Sequence, residues 1–170
     1  MKCHECNKTM KPSKEIYYYT ESGLDNVYLD NVVVYKCECG EEFASIPAIN
    51  ELNATIGLDL IKKQAYLTGA EIKFLRKNIG LNSKSFAEFI GINKSTLSRW
   101  ENKKQEIDKS NDRLVRLLYA NIKGIPQEEI QNFLKDTIRT IDNRKKKQKK
   151  IHIPIDSFTH GLHTECVAVC

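Results

Sequence analysis

Between residues 68 and 122 helix starters and helix stoppers follow one another so closely that only a succession of short helices fits. Thr68 stands before an apolar three-and-four spacing of Ile72, Leu75 and Ile79, and Glu71 three places on completes a capping box. In that box the hydroxyl and the carboxylate each satisfy a backbone N–H that the first helical turn leaves open. Gly80 ends this helix. Asn82 opens the next, with Phe86, Ala87 and Ile90 on one face, and Gly91 closes it. Asn93 opens a third helix over Lys94 to about Lys103, and Ser110 a fourth carrying Leu114, Leu117 and Leu118.

The second and third of these, joined by a tight Gly-Ile-Asn turn, have the lengths of a helix-turn-helix. Ala87 falls where two helices must approach closely, and Ile92 and Leu97 supply apolar pins between them. In that geometry the N-terminal half of the later helix enters the major groove of duplex DNA. It would present Lys94, Ser95, Thr96, Ser98 and Arg99. Ser95 and Arg99 are four apart and share a face. Arginine makes paired hydrogen bonds to guanine, and serine or threonine reads bases or phosphates. Asn93, Lys94 and the Lys103-Lys104 pair suit phosphates. Trp100 and Glu101 are expected to be structural, the ring packed in the bundle and the carboxylate paired with a cation such as Arg76. The bland alternative is a plain bundle with solvated basic residues. The helix lengths, the turn and the polar, basic composition of one face favour operator recognition.

Charge is distributed in agreement with that reading. The chain of 170 residues has a formal net charge of +5, yet residues 71–150 hold 20 basic against 10 acidic side chains, and residues 1–70 only 7 against 10. A basic block beside an acidic segment suggests a polyanionic partner for the middle of the chain. No apolar run approaches the roughly 20 residues that a membrane-spanning helix needs, so no membrane partner is expected.

Four of the six cysteines lie at the front in close pairs, Cys3 with Cys6 and Cys37 with Cys39. Met1-Lys2-Cys3-His4-Glu5-Cys6 lacks the apolar core of a secretory signal, so a reducing, cytoplasmic setting is expected, and with it metal ligation rather than disulfides. Four thiolates in a tetrahedron satisfy one structural Zn2+ and leave no open position for chemistry. Cys3-x-x-Cys6 has the usual spacing of a zinc knuckle, and Gly40 helps the backbone fold back after the second pair. Cys37-Glu38-Cys39 is one residue short, which leaves open whether His4 replaces one sulfur. A disulfide, free thiols or a redox site are the competing readings. A metal is needed because some 40 residues bury too little apolar surface alone.

The fold expected is α+β: a small N-terminal zinc-bound β module followed by an all-α helix-turn-helix bundle of about five helices. Strand-like runs at 15–20, 26–29 and 32–35 are rich in tyrosine and valine, with turn formers at Ser22-Gly23 and Asp30-Asn31. The zinc module is expected over 1–46 and a connector helix over 47–66. In that helix Pro47 suits the first turn, and Ile49, Leu52, Ile56 and Leu60 share a face. Gly57 weakens this helix. The DNA-binding domain is expected over 67–123. The extension 124–170 holds an amphipathic stretch (Ile130, Phe133, Leu134, Ile138, Ile141) and a basic run over 144–150, then a short strand around Ile151, Ile153 and Ile155. His160, His163, Cys166 and Cys170 are ligand types at plausible spacings, but buried cysteines and surface histidines explain them as well.

Residues 67 to 102, ending Asn93-Lys94-Ser95-Thr96-Leu97-Ser98-Arg99-Trp100-Glu101-Asn102, resemble the Cro/repressor-like (XRE-type) helix-turn-helix. Together with Cys3-x-x-Cys6, Val32-Val33-Val34, Cys37-x-Cys39-Gly40-Glu41 and Ser45-Ile46-Pro47, the chain over about 1–122 resembles the MqsA (YgiT-type zinc finger) antitoxin family. The resemblance implies a zinc domain that binds a protein toxin and a helical module that forms a homodimer and represses its own operon. In that family an asparagine and an arginine four apart read bases, and Ser95 and Arg99 occupy those places here. The serine is a departure that frees the operator sequence to differ. Residues 125–170 go beyond the family's compact pattern. An enzyme is not expected, because four cysteines close the metal shell and no catalytic pairing of carboxylates or of Cys with His stands out.

Overall fold

The computed structural model describes residues 1–132, 135 and 149–159. These residues form an α+β structure that divides into two compact units. One holds 1–20, 26–52 and the tail from 150, and the other holds 21–25 and 53–149.

In the first unit β1 (Lys11–Tyr18) pairs antiparallel with β2 (Val27–Lys36), which pairs antiparallel with β3 (Glu42–Ser45). A fourth strand, β4 (Ile151–Pro154), adds to β2 in parallel, matching Val27 with Ile151 and Leu29 with Ile153. A one-turn helix, Asp156–Thr159, follows it. Val27, Leu29, Val32 and Val34 are buried along one face of β2. The step from 29 to 32 breaks strict alternation, and the register shifts there. Asp30-Asn31 is therefore not a turn but an extra residue inside one long strand. Asn31 takes a φ of +63°, a left-handed conformation that asparagine tolerates, so valines on both sides of the bulge reach the same core.

Helix α1 (Ile49–Lys62) buries Leu52, Ile56 and Leu60, while Ile49 is left exposed at its first turn. Pro47 precedes the helix by two residues, and the carbonyl of Ala48 accepts the first helical bond from Leu52. Gly57 has a positive reason to be glycine: a Cβ there would lie 1.9 Å from the hydroxyl oxygen of Tyr119.

The second unit continues with α2 (Gly69–Asn78), α3 (Ser83–Phe89), α4 (Lys94–Glu101), α5 (Lys109–Ile122) and α6 (Gln127–Asn132). Helix α2 carries the full capping box of Thr68 and Glu71, and the Asn82 side chain accepts from Lys84 and Ser85 at the start of α3. Helix α5 starts earlier than Ser110 because Asp108 is its cap, accepting from the N–H groups of Ser110 and Asn111. Inside the unit, Arg116 and Asp112 are fully buried and bonded to each other. The guanidinium also donates to the carbonyls of Ile61, Lys63 and Ala65, and Asp112 accepts from the N–H of Leu67. This network ties the connector after α1 to α5, giving its carbonyls a buried hydrogen-bond donor. Most of the amphipathic stretch beyond α6, the run at 144–148 and the His160, His163, Cys166, Cys170 group lie outside the described residues.

Candidate nucleic-acid interface and metal centre

Helix α4 is set by three contacts that follow from the sequence. Gly91, with a φ of +71°, turns the chain between α3 and α4, and Ile92 donates its N–H back to Ala87. Leu97 and Trp100, three apart, are both buried and fix which side of α4 faces inward. Arg76 on α2 then clamps the C-terminal end: Nε donates to Glu101 Oε1 at 2.6 Å and Nη2 to Oε2 at 3.1 Å, while Nη1 reaches the carbonyl of Leu81 at 2.9 Å. Gly69 lets α2 come close, since a Cβ there would lie 2.1 Å from the carbonyl oxygen of Trp100.

With the inward side fixed, the outward side is Asn93, Lys94, Ser95, Ser98 and Arg99, all exposed, with Thr96 half-buried and Lys103 exposed beyond the helix end. Arg99 is not consumed by the fold. Among the described residues it bonds only within its own helix, to the Ser95 carbonyl and the Thr96 hydroxyl, both at 3.4 Å, near the limit of a hydrogen bond. Asn93 stands at the cap position, yet its side chain makes no capping bond, unlike Thr68, Asn82 and Asp108. Its amide is left with donor and acceptor capacity at an exposed helix start. Ser98 accepts from Asn102 Nδ2 at both its carbonyl (2.7 Å) and its hydroxyl (3.3 Å), so Asn102 closes the helix from the side. Lys103 adopts a left-handed φ of +58°, and Lys104 N–H returns to the Arg99 carbonyl at 2.8 Å.

Two of the cations in the basic middle segment are buried and not offered at its surface. Arg76 and Arg116 are 7% and 0% exposed and spend their charge on Glu101 and Asp112. The signal in the sequence was the four-residue spacing of Asp112 and Arg116, which on a helix places them together.

In the sheet unit the sulfurs of Cys3, Cys6, Cys37 and Cys39 all lie within 4.8 Å of one another. Cys3 and Cys39 are 3.6 Å apart and Cys6 and Cys37 3.3 Å, far beyond a disulfide bond of about 2.05 Å. Four sulfurs around one zinc at bonds of about 2.3 Å would stand about 3.8 Å apart, so the group fits a tetrahedral ion closely. The short spacing of the second pair is absorbed by Gly40, whose φ of +98° folds the chain so that Cys37 N–H meets Glu41 O and Gly40 N–H meets Cys37 O. His4 is exposed and is not a member of the group. The Cys3 thiol is lowered to about 7, chiefly by the backbone N–H of Cys6, with burial opposing, while the Cys37 and Cys39 thiols beside it are raised.

No helix among the described residues is long and apolar enough to cross a membrane. No curated protein and no solved structure matches the chain. Residues 72–117, from within α2 to within α5, match the family described as Helix-turn-helix. The match is to an XRE-type helix-turn-helix and supports a DNA-binding transcriptional regulator.

Proposed function

We propose that the chain is a sequence-specific repressor that lays α4 in the major groove of an operator. Arg99 and Ser95 read base edges there, and Asn93, Lys94, Thr96, Ser98 and Lys103 hold bases or phosphates. One observation carries this reading. On α4 the apolar residues are all turned inward, and the exposed side holds polar and cationic groups without strong internal partners. The four cysteines hold one structural Zn2+, whose chemistry is to cross-link the two knuckles of a unit too small to hold them otherwise.

The repressor is the antitoxin of a type II toxin–antitoxin pair, acting as a homodimer that binds its toxin through the zinc-held sheet and represses its own operon in the cytoplasm. Its support is the joint presence of the cysteine group and the helix-turn-helix in one chain. The second reading is a zinc-containing regulator without a toxin partner, favoured by β4, a return of the tail that the compact family pattern does not include. Gel-shift titration with the DNA upstream of the chain's own gene tests the first claim, and co-purification with the product of the adjacent gene separates the two readings. Equal affinity for upstream and random DNA sinks the operator claim. A neighbour that neither harms growth nor binds the chain sinks the antitoxin claim.

A further inference from the structure

The outer face of the N-terminal sheet carries a row of rings that operator reading by α4 does not use. Tyr18 on β1 lies opposite Tyr28 on β2, and Tyr28 lies opposite His152 on β4. Strand alternation puts all three on the side away from buried Val27 and Leu29. The rings stack across the strands, Tyr18 on Tyr28 at 5.2 Å between centroids and Tyr28 on His152 at 5.3 Å. Lys150 Nζ sits 4.9 Å from the Tyr28 centroid. Further along the same face Tyr35 meets Phe43 at 6.5 Å. Tyr18 is 41% and Phe43 50% exposed, so the face is open to solvent.

Two features say what suits it. The row is built of tyrosine and histidine, rings that offer a flat face for stacking and a polar tip for hydrogen bonding. Charge is the second. Lys14 stands opposite Val33 on this face and has no ion-pair partner among the described residues, and Lys150 is exposed beside Tyr28. The carboxylate on the face, Asp30, is already held by His152 Nδ1 at 3.0 Å. Tyr28 is covered by its two neighbours and by Lys150. The rings open to an unstacked base are therefore the ends of the row, Tyr18 and His152, with Lys14 and Lys150 beside them for phosphates.

We propose that this face binds single-stranded nucleic acid, an unpaired base stacking at an end of the Tyr18–Tyr28–His152 row while Lys14 and Lys150 meet phosphates. The site is separate from α4 and reads a different substrate, so its failure would leave the duplex reading untouched.

Fluorescence anisotropy of the full chain with labelled 12-nucleotide U-rich RNA, A-rich RNA and oligo-dT tests it. Saturable binding is expected, and the Tyr28→Ala/His152→Ala variant should lose roughly tenfold or more, the scale on which a stacking ring acts. Affinity for duplex DNA should hold within about twofold, the range that leaves α4 intact. Lys14→Glu, at an exposed position that leaves the fold alone, should also weaken binding, and Tyr28→Phe should retain it. Tighter binding of RNA than of oligo-dT identifies an RNA strand as the ligand, and equal affinity any unpaired strand. No binding by the parent chain overturns the proposal. So does loss caused by Arg99→Ala instead of the ring variants, which would assign binding to α4. Self-association of the chain that Tyr28→Ala abolishes, without oligonucleotide binding, makes the face a protein interface and overturns it too.

Discussion

Arg76 and Glu101, 25 residues apart, meet in a two-pronged ion pair with side chains only 8% and 10% exposed, and through it α2 holds the end of α4. The pair lies behind the surface that faces solvent. It therefore decides how α4 is presented without itself being available to a ligand. Removing one partner strands the other in a poorly solvated place, a loss of about 3–5 kcal/mol for buried pairs. Glu101→Ala should therefore lower the urea midpoint sharply and weaken DNA binding through misplacement of α4. A cost below about 1 kcal/mol, the value of an exposed pair, would show that the clamp is not needed.

Arg99→Ala makes the opposite kind of change. Its side chain is exposed and weakly bonded, so stability should stay within about 0.5 kcal/mol. Discrimination between operator and random DNA should fall by about 1–3 kcal/mol. Competition titrations at two salt concentrations check both parts. Unchanged discrimination refutes the placement of α4 in the groove.

Gly57→Ala should destabilise the helical unit despite alanine's better helix propensity, worth about 1 kcal/mol. The new methyl would fall on the Tyr119 hydroxyl, which donates to Asn78 Oδ1 at 2.8 Å. Displacing a buried ring and breaking that bond costs more than the propensity returns, by about 1–3 kcal/mol. Gly57→Ala combined with Tyr119→Phe should recover part of the loss in thermal denaturation.

Chelation should unfold the sheet unit and spare the helices, seen as loss of strand signal with retained helical circular dichroism. The sign of the pH effect follows from the ligands. Thiolates bind and thiols do not, so metal binding releases protons, and affinity rises with pH and falls on acidification. Cys3, lowered to about 7, is mostly thiolate well above neutrality and protonates progressively as pH falls through about 7. Zinc release to a coloured chelator at pH 8, 7 and 6 measures the trend, and a flat profile rejects thiolate ligation.

Asp108→Ala should remove the α5 cap at about 1 kcal/mol. The hydrogen bond from the Asn111 side chain, aided by backbone N–H groups, holds the Asp108 carboxyl below its usual value. A lowered value means the contribution is present above the ordinary carboxyl range and disappears as pH falls through the depressed one. The parent chain and the variant should therefore converge in stability at strongly acidic pH.

Much of this protein was legible along the chain because the deciding interactions are local. Caps such as Thr68 and Asn82, and the stop at Gly91, act within one turn, so α2, α3 and α4 could be read from their ends. The Cys pairs announced themselves by spacing, and the short strand around Ile151 to Ile155 by alternation. Asn93 shows the limit of local reading: it occupies a cap position without capping, a matter of side-chain rotamer that composition does not record.

What the sequence alone determined is the kind of each element: short capped helices in the middle, valine- and tyrosine-rich strands at the front, thiols in two knuckles. What the tertiary structure decided is which distant residues these elements bring together. Ile153 joins β2 across more than 120 residues, Arg116 reaches back to the carbonyls of 61, 63 and 65, and the Asp30-Asn31 dipeptide becomes a bulge because valines on both sides must face one core. The physical reason is range. Hydrogen bonds within a turn are set by neighbours in the chain, whereas burial and strand pairing are settled only when the whole chain closes on itself.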